Sequence, residues 1–394
     1  MFRGTDSQVQ PIQSNERISS LDVLRGFSLL GIFLVNMISF ESPILYYDPQ
    51  GWWQGTDKSL FSWIEVLVQS SFYPIFAMLF GYGLVILRER CEQKGISFNK
   101  LGVRRLLLLV VIGAIHAFFI WSGDILVNYA IFGLILMLIL NWSGKTLIYS
   151  GLALFLIPNL LFSLLLMLLA MTSPHDISTY SDMAGITESV KNYGSGTYIE
   201  ITAQRFHDWY MVNGPENIIF ILFSIIPLMM IGAGAAKLKW LQTKIDKKKW
   251  LVLFILSAII GLFLKLLPVV IDSNLAYKFI QQSLGGTILS LAYISLIILL
   301  LTNKYFSKLF KPFATAGRMS LTIYLTQSIV GTLIFYHYGL GLYTKLTLGT
   351  SMLLAILIYI IQVVLAELWF IKFKYGPVEK VWRLLTYGKA IKSK

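Results

Sequence analysis

The sequence predicts an all-α fold, a polytopic integral membrane bundle of about ten transmembrane helices. Of its 394 residues, 56% are hydrophobic and 13% are charged, whereas about a quarter of the residues in soluble domains are charged. The mean hydropathy is +0.69. The apolar residues gather in windows of about 20, the length that a helix needs to cross ~30 Å of hydrocarbon. These observations exclude a water-soluble enzyme and a disordered chain.

Two further classes are excluded by cysteine and charge. Cys91 is the single cysteine, so no internal disulfide framework can form. The formal net charge is +13, but the basic residues lie between apolar segments and form no nucleic-acid recognition motif. We therefore expect no nucleic-acid partner, and we expect the lipid bilayer, with its anionic leaflet, as the partner of these cations.

Hydropathy divides the chain into a polar N-terminus at 1–20, a transmembrane bundle at 21–371 and a basic tail at 372–394. No small-residue cleavage site follows the first apolar window, which predicts an uncleaved first helix. The predicted spans lie near 21–40, 62–87, 104–121, 125–141, 146–171, 217–236, 250–271, 283–302, 317–337 and 347–371.

The distribution of lysine and arginine predicts the orientation. With the N-terminus inside, almost all of the 33 Lys and Arg residues fall in the inner connections. Positive residues near helix ends are retained in the cytoplasm. We therefore expect both termini to be cytoplasmic.

One outer connection, 172–216, is too long to be a turn and is expected to be partly structured. Its apolar residues recur at helical spacing and are Ile199, Ala203, Phe206 and Tyr210. The polar residues Glu200, Gln204 and Asp208 occupy other faces. This pattern predicts an amphipathic helix at the outer interface, which either packs over helix ends or acts as a lid.

Polar residues at the inner end of the bundle admit two interpretations. The first helix opens with RISSLDVLRGF, in which Asp22 fits a capping box and Arg25 lies near the inner leaflet. The ninth window opens with AGRMSLTIYLTQS, and a helix N-terminus beside Arg318 favours a phosphate. Asp22, Arg25 and Arg318 therefore form either an anionic-ligand site or a set of capping and anchoring residues.

Polar residues in the outer half point to a second site. His116 and Asp124 flank a short outer turn, and a carboxylate on one imidazole nitrogen would raise the basicity of the other. This is half of a catalytic dyad, although a histidine within a helix also serves structural roles. Asn36, about three turns above Arg25, indicates either a lined cavity or an interhelical hydrogen bond.

Three weaker candidates complete the polar set. Glu65 and His337 fit either the His116 region or an ordinary membrane interface. Lys265 lies two turns from Asp272 and is expected either to pair with it or to extend outward. No Walker loop, HExxH, CxxC or GxSxG motif occurs, and no metal is predicted.

Several long segments resemble the YeiB-like bacterial membrane proteins, a family with a domain of unknown function. The matching segments are RISSLDVLRGFSLLGIFLVN, FYPIFAMLFGYG, RRLLLLVVIGAIHAFFIWSGDILVNYAIFG, AGRMSLTIYLTQS and FKYGPVEKVWRLLTYG. This resemblance implies a multi-pass protein of the bacterial cytoplasmic membrane. The SLDVLRG opening is also distantly similar to the heparan-alpha-glucosaminide N-acetyltransferase family and other transmembrane acyltransferases.

Those acyltransferases imply that cytosolic acyl-CoA donates an acyl group to an acceptor outside, with a working histidine. Their histidine follows helix one, where residues 41–61 of this chain contain none. Either His116, oriented by Asp124, takes that part, with Arg25, Arg318 and Asp22 at the site of acyl-CoA or acetyl-CoA, or this branch does not transfer acyl groups in that way. The alternatives are a small-molecule transporter or exporter and a structural or sensory membrane protein. The acceptor and the oligomeric state are not predicted.

Overall fold

The computed structural model describes residues 19–172, 181–242 and 245–388, and within these ranges the chain is helical and contains no strand. The predicted all-α class is confirmed. The described part of the chain has seven helices that are long and apolar enough to span a membrane, and two shorter apolar helices. The multi-pass membrane bundle is therefore supported, while the count of ten spans and the side of the termini stay predictions.

The first half of the chain builds six helices and one π-helical turn. They are α1 (Ser19–Glu41), α2 (Pro49–Trp52), α3 (Gly55–Leu67), α4 (Tyr73–Gln93), α5 (Phe98–Ile115), the π-helix His116–Ile120 and α6 (Leu126–Ile139).

A long helix then leads to two helices of the outer connection and back into the bundle. These are α7 (Gly144–Thr172), α8 (Met183–Ser195), α9 (Tyr198–Asn213), α10 (Ile218–Lys237) and α11 (Lys247–Val270). Residues 173–180 of the predicted outer loop lie outside the described ranges, as do most of 1–20 and the end of the tail.

The C-terminal part contains a second π-helical turn and a helix in the tail. Its elements are α12 (Leu275–Ile280), the π-helix Gln281–Gly285, α13 (Gly286–Leu301), α14 (Lys304–Leu309), α15 (Lys311–Arg318), α16 (Ser320–Phe335), α17 (Leu348–Lys372) and α18 (Pro377–Tyr387).

Two predicted windows are wrong as single helices. The second window, 62–87, is broken between α3 and α4, where Ser70 has a positive φ of 58°. Pro74 lies in the first turn of α4, where its missing N–H costs nothing. The ninth window, 317–337, is broken at Met319, so Arg318 ends α15 and does not open the spanning helix α16. Hydropathy windows average over such breaks.

Glycines allow the central helices to approach closely. A Cβ on Gly26 of α1 would lie 2.0 Å from the Phe313 carbonyl oxygen of α15, and one on Gly317 would lie 1.9 Å from the backbone carbonyl oxygen of Asp22. Gly81 of α4 and Gly232 of α10 meet each other's helix in the same way. Small residues at such crossings favour helix association in lipid. This packing brings the inner ends of α1 and α15 together.

Candidate functional site

A polar cavity of about 560 Å³ lies at the outer end of the bundle, the end that carries the connections predicted to face outward. Its wall comes from α1, the segment after α1, the start of α4, the turn before α6, and parts of α8, α9 and α10. The polar side chains in this wall include Asn36, Ser39, Tyr46, Tyr73, Asp124, Asn128, Tyr193, Asp208, Asn213, Ser224 and Gln282. Asn36 thus lines a cavity, the first of its two predicted roles.

The predicted His116 and Asp124 pair is formed, with Asp124 in the cavity wall and His116 outside the set of described residues that line the cavity. His116 Nδ1 lies 2.7 Å from Asp124 Oδ2, and both side chains are fully buried. Asp124 Oδ1 accepts a hydrogen bond from the Val127 backbone N–H at 2.9 Å. A carboxylate that accepts from Nδ1–H fixes the tautomer in which Nε2 carries the lone pair. Among the described residues, Nε2 has no hydrogen-bond partner.

Local backbone geometry positions the histidine. His116 begins the π-helix that ends α5, and its carbonyl oxygen accepts from the Trp121 N–H at 2.8 Å. Gly113, one turn earlier, leaves room for the carboxylate, because a Cβ there would lie 3.0 Å from Asp124 Oδ1. The Tyr324 ring of α16 packs 5.1 Å from the imidazole centroid. Single π-turns of this kind often mark functional sites.

Asp208 of α9 organises the opposite wall of the cavity. Its carboxylate accepts hydrogen bonds from Tyr46 at 2.5 Å, Tyr193 at 2.6 Å and Gln204 at 2.8 Å. Burial raises the pKa of Asp208, although these three donors act in the opposite direction. The carboxylate therefore ties α8, α9 and the segment after α1 into one wall.

The outer helix α9 is amphipathic as predicted, and its polar face is the one that packs on the bundle. Gln204, Arg205 and Asp208 are buried, while Ile199 and Phe206 are exposed. The buried Arg205 guanidinium donates to the Phe119 carbonyl and the Tyr338 hydroxyl. The sequence pattern identified this helix and missed the role of Asp208, whose partner Tyr46 is 162 residues away in the chain.

The inner end holds the other predicted site residues. Arg25 Nη1 donates to Asp22 Oδ1 at 3.1 Å, and the arginine side chain is 27% exposed. Arg318 stacks on Phe370, with its guanidinium carbon 4.0 Å from the ring centroid. Arg25 and Arg318 belong to the closely packed helices α1 and α15. The described residues that line the outer cavity include neither arginine.

A carboxylate of the tail occupies the helix N-terminus that the sequence assigned to a phosphate. Glu379 of α18 is buried and accepts from the backbone N–H groups of Leu321 and Thr322 at 2.8 and 3.0 Å. It also accepts from the Thr322 hydroxyl at 2.5 Å. The sequence feature that could have pointed to Glu379 is the preceding Gly376–Pro377 pair, which begins α18.

Among the weaker candidates, Lys265 takes neither predicted role, while Glu65 and His337 do not join the His116 region. Lys265 neither pairs with Asp272 nor extends outward, because it is fully buried and its Nζ donates to the Gln69 carbonyl at 2.7 Å. Glu65 is buried within electrostatic range of Lys265, so it does not join the His116 region. The His337 side chain is exposed, and the His337 backbone N–H donates to the Tyr193 carbonyl oxygen. His337 therefore does not join the His116 region either.

Comparison with known proteins finds relatives that match the chain over almost its whole length. A family model described as a protein of unknown function (DUF418) matches residues 235–389. The chain is 35% identical over 401 residues to the uncharacterised protein YxaH of Bacillus subtilis, covering 97% of each chain. It is 29% identical over 394 residues to the uncharacterised protein YeiB of Escherichia coli, covering 95% of this chain and 97% of YeiB. An uncharacterised 39.9 kDa protein of Bacillus acidopullulyticus is 27% identical, covering 97% of each chain.

Proposed function

We propose that this chain, which belongs to the DUF418 family of YxaH and YeiB, is a membrane acyltransferase. The observation that carries the proposal is the buried His116–Asp124 pair, with Nε2 left without a partner among the described residues. Asp124 of this pair lines a polar cavity large enough for a small acceptor, and His116 contacts Asp124. The expected location is the bacterial cytoplasmic membrane, with the cavity facing outward.

The chemistry assigned to His116 is general base catalysis. Nε2 takes the proton of an acceptor hydroxyl or amine as that oxygen or nitrogen attacks the thioester carbonyl carbon of the donor. The carbon–sulfur bond then breaks, and the imidazolium returns its proton to the departing thiolate. Asp124 stabilises the imidazolium and holds the ring, as the carboxylate does in His–Asp pairs.

The donor is assigned to the inner end. Arg25 and Arg318 offer two guanidinium groups on adjoining helices for the phosphates of acyl-CoA or acetyl-CoA. Asp22 orients Arg25 through their 3.1 Å ion pair. The 11 residues from Arg25 to Asn36 correspond to ~16 Å along α1. The acyl-bearing arm would have to cover about that distance to reach the outer cavity.

The first experiment uses purified protein in lipid nanodiscs with labelled acetyl-CoA. We expect the wild type to bind the donor and to release CoA thiol when membrane extract supplies an acceptor. His116→Gln should bind the donor with unchanged affinity and lose CoA release. Asp124→Asn keeps an oxygen for the Val127 N–H and should reduce the release, by up to about 10⁴-fold if it acts as the carboxylate of a catalytic triad does.

Arg25→Gln is the matched test of the donor site, because it keeps the side-chain length and removes the charge. It should weaken acetyl-CoA binding in the same nanodiscs. If neither acetyl-CoA nor longer acyl-CoA binds the wild type, the acyltransferase proposal is wrong.

The second candidate function is transport of a small molecule. The observation in its favour is that the outer cavity, as lined by the described residues, does not reach Arg25 or Arg318. A transporter would move a cavity ligand across the membrane without consuming a thioester. Absence of CoA release by the wild type, together with movement of a small molecule across the membrane, would therefore favour transport.

A further inference from the structure

The acyl-transfer chemistry makes no use of a second buried charged group, Lys265 of α11. This lysine lies among Leu264, Leu266 and Leu267 in a helix long enough to span the membrane, and it is 0% exposed. Its ammonium donates to the Gln69 carbonyl oxygen at 2.7 Å. An ionisable side chain within the hydrocarbon costs a few kcal/mol by insertion scales unless it is paired. A buried lysine at this position therefore requires a group that compensates its charge.

Glu65 supplies the opposite charge. It lies in the last turn of α3, is 5% exposed, and acts electrostatically on Lys265. The other elements packed against α11 bring different charges or none. In α12, Lys278 pairs with Asp48 at 2.9 Å nearer the outer surface. The titratable group of α13 near this position is Tyr293, whose hydroxyl donates to the Leu67 carbonyl at 2.7 Å.

Hydrogen bonds from Lys265 and Tyr293 stabilise the break between α3 and α4. The last carbonyl groups of α3 carry the negative end of its dipole, which a cation stabilises. Lys265 and Tyr293 occupy two of the carbonyl oxygens there, those of Gln69 and Leu67. Ser70 follows with its left-handed φ of 58°. The Lys265 charge thus helps to fix where α4 begins.

Two residues close to this break or to Lys265 line the outer cavity. Tyr73, the first residue of α4, lines the cavity. On the other side, Gln281 is fully buried and its Nε2 donates to the Lys265 carbonyl at 2.8 Å, while Gln282, the next residue, lines the cavity. Gln281 begins a π-helical turn, and its Oε1 has no partner among the described residues.

We propose that Lys265 and Glu65 form an intramembrane proton-binding site whose protonation state sets the shape of the outer cavity through Tyr73 and Gln282. Two opposite buried charges are neutral as a pair, so the gain or loss of one proton leaves a net charge that the surrounding apolar side chains do not stabilise. That imbalance acts on the Gln69 hydrogen bond and on the α3–α4 break. By linkage, a ligand that binds one cavity shape must alter proton affinity at this pair.

The experiment measures amide hydrogen exchange of residues 68–76 and 281–287 in nanodisc-embedded protein between about pH 5 and pH 9, where buried Lys and Glu groups titrate. Rates are corrected for intrinsic exchange. The wild type should change its protection of both segments by about 5- to 150-fold over this range, the usual span of coupled sites.

Three variants keep the result decisive. Glu65→Gln with Lys265→Met removes both titrating groups and should abolish the pH dependence. Lys265→Arg keeps the charge and cannot lose its proton, so it should be folded and should abolish the high-pH change. Lys278→Met removes a lysine from a matched ion pair and should leave the wild-type profile. A pH-dependent profile that persists in Lys265→Arg and in the double variant overturns the proposal, as does a flat wild-type profile.

Discussion

The contact between the tail and α16 allows the effect of a substitution on the free energy of unfolding to be predicted. Glu379 accepts three hydrogen bonds, from two backbone N–H groups and the Thr322 hydroxyl, at 2.5 to 3.0 Å. Replacing it by alanine leaves the Leu321 and Thr322 amides buried without this acceptor. Buried donors that lose a partner cost about 1–3 kcal/mol each, and such terms add incompletely. We therefore expect Glu379→Ala to lower the free energy of unfolding by about 2–4 kcal/mol.

Glu379→Gln separates charge from geometry. The amide oxygen can still accept from one or two of the donors, so we expect a loss of about 1–2 kcal/mol, in the range of a removed helix cap. The measurement is equilibrium unfolding in mixed detergent micelles. Limited proteolysis of the tail should accompany it, because α18 would detach more often.

The control is Glu92, which accepts from Arg88 at 2.7 Å with a 59% exposed side chain. Exposed ion pairs of this spacing contribute about 0.5 kcal/mol or less, so Glu92→Ala should be close to neutral. If Glu379→Ala is as stable as Glu92→Ala, the tail carboxylate does not cap α16 and the reasoning fails.

Three other outcomes are expected. Burial raises the pKa of Asp208 above its ordinary 3.8. This carboxyl therefore stabilises the folded state fully at pH below 3.8, and that stabilisation is lost as pH rises through the raised pKa. The stability of the wild type relative to Asp208→Asn should therefore fall as pH rises, and a pH-independent difference would contradict this. Gly26→Ala, whose Cβ would lie 2.0 Å from the Phe313 oxygen, should cost at least about 1–3 kcal/mol in thermal or chemical unfolding, whereas Gly194→Ala, with nothing within 4 Å, should not destabilise. Ser224→Cys, in the cavity wall, should react with a membrane-impermeant maleimide added outside intact cells, and equal labelling of the buried Cys91 would refute the assigned sidedness.

The sequence predicted contacts that are local and missed those that are distant. His116 and Asp124 are eight residues apart across one turn, so their meeting followed from spacing. Glu379 and Thr322 are separated by 57 residues, and Lys265 and Gln69 by 196. Hydropathy reports that a segment is apolar, but helix rotation and neighbour order depend on packing. The partners of Asp208, Glu379 and Lys265 could therefore not be deduced from the pattern.

The two helix breaks were also not predicted from the sequence. The window that contains Ser70 is apolar on both sides of the break, and its averaged hydropathy concealed this left-handed residue, which follows the Gln69 carbonyl that Lys265 binds. The window at 317–337 likewise concealed the end of α15 at Arg318. In both cases a polar contact from a distant helix stabilises backbone carbonyl or amide groups that the break leaves open, as a membrane interior requires.

The central claim is that His116 acts as the general base in acyl transfer to an acceptor in the outer cavity. Its most direct test is right-side-out membrane vesicles loaded with labelled acetyl-CoA, containing the wild type or His116→Gln at equal amounts, with the label followed into non-CoA products. We predict that the wild type forms labelled product on the outer side and that His116→Gln forms none above vesicles without the protein. Equal product from the two proteins, or none from either while acetyl-CoA remains intact, would contradict the claim.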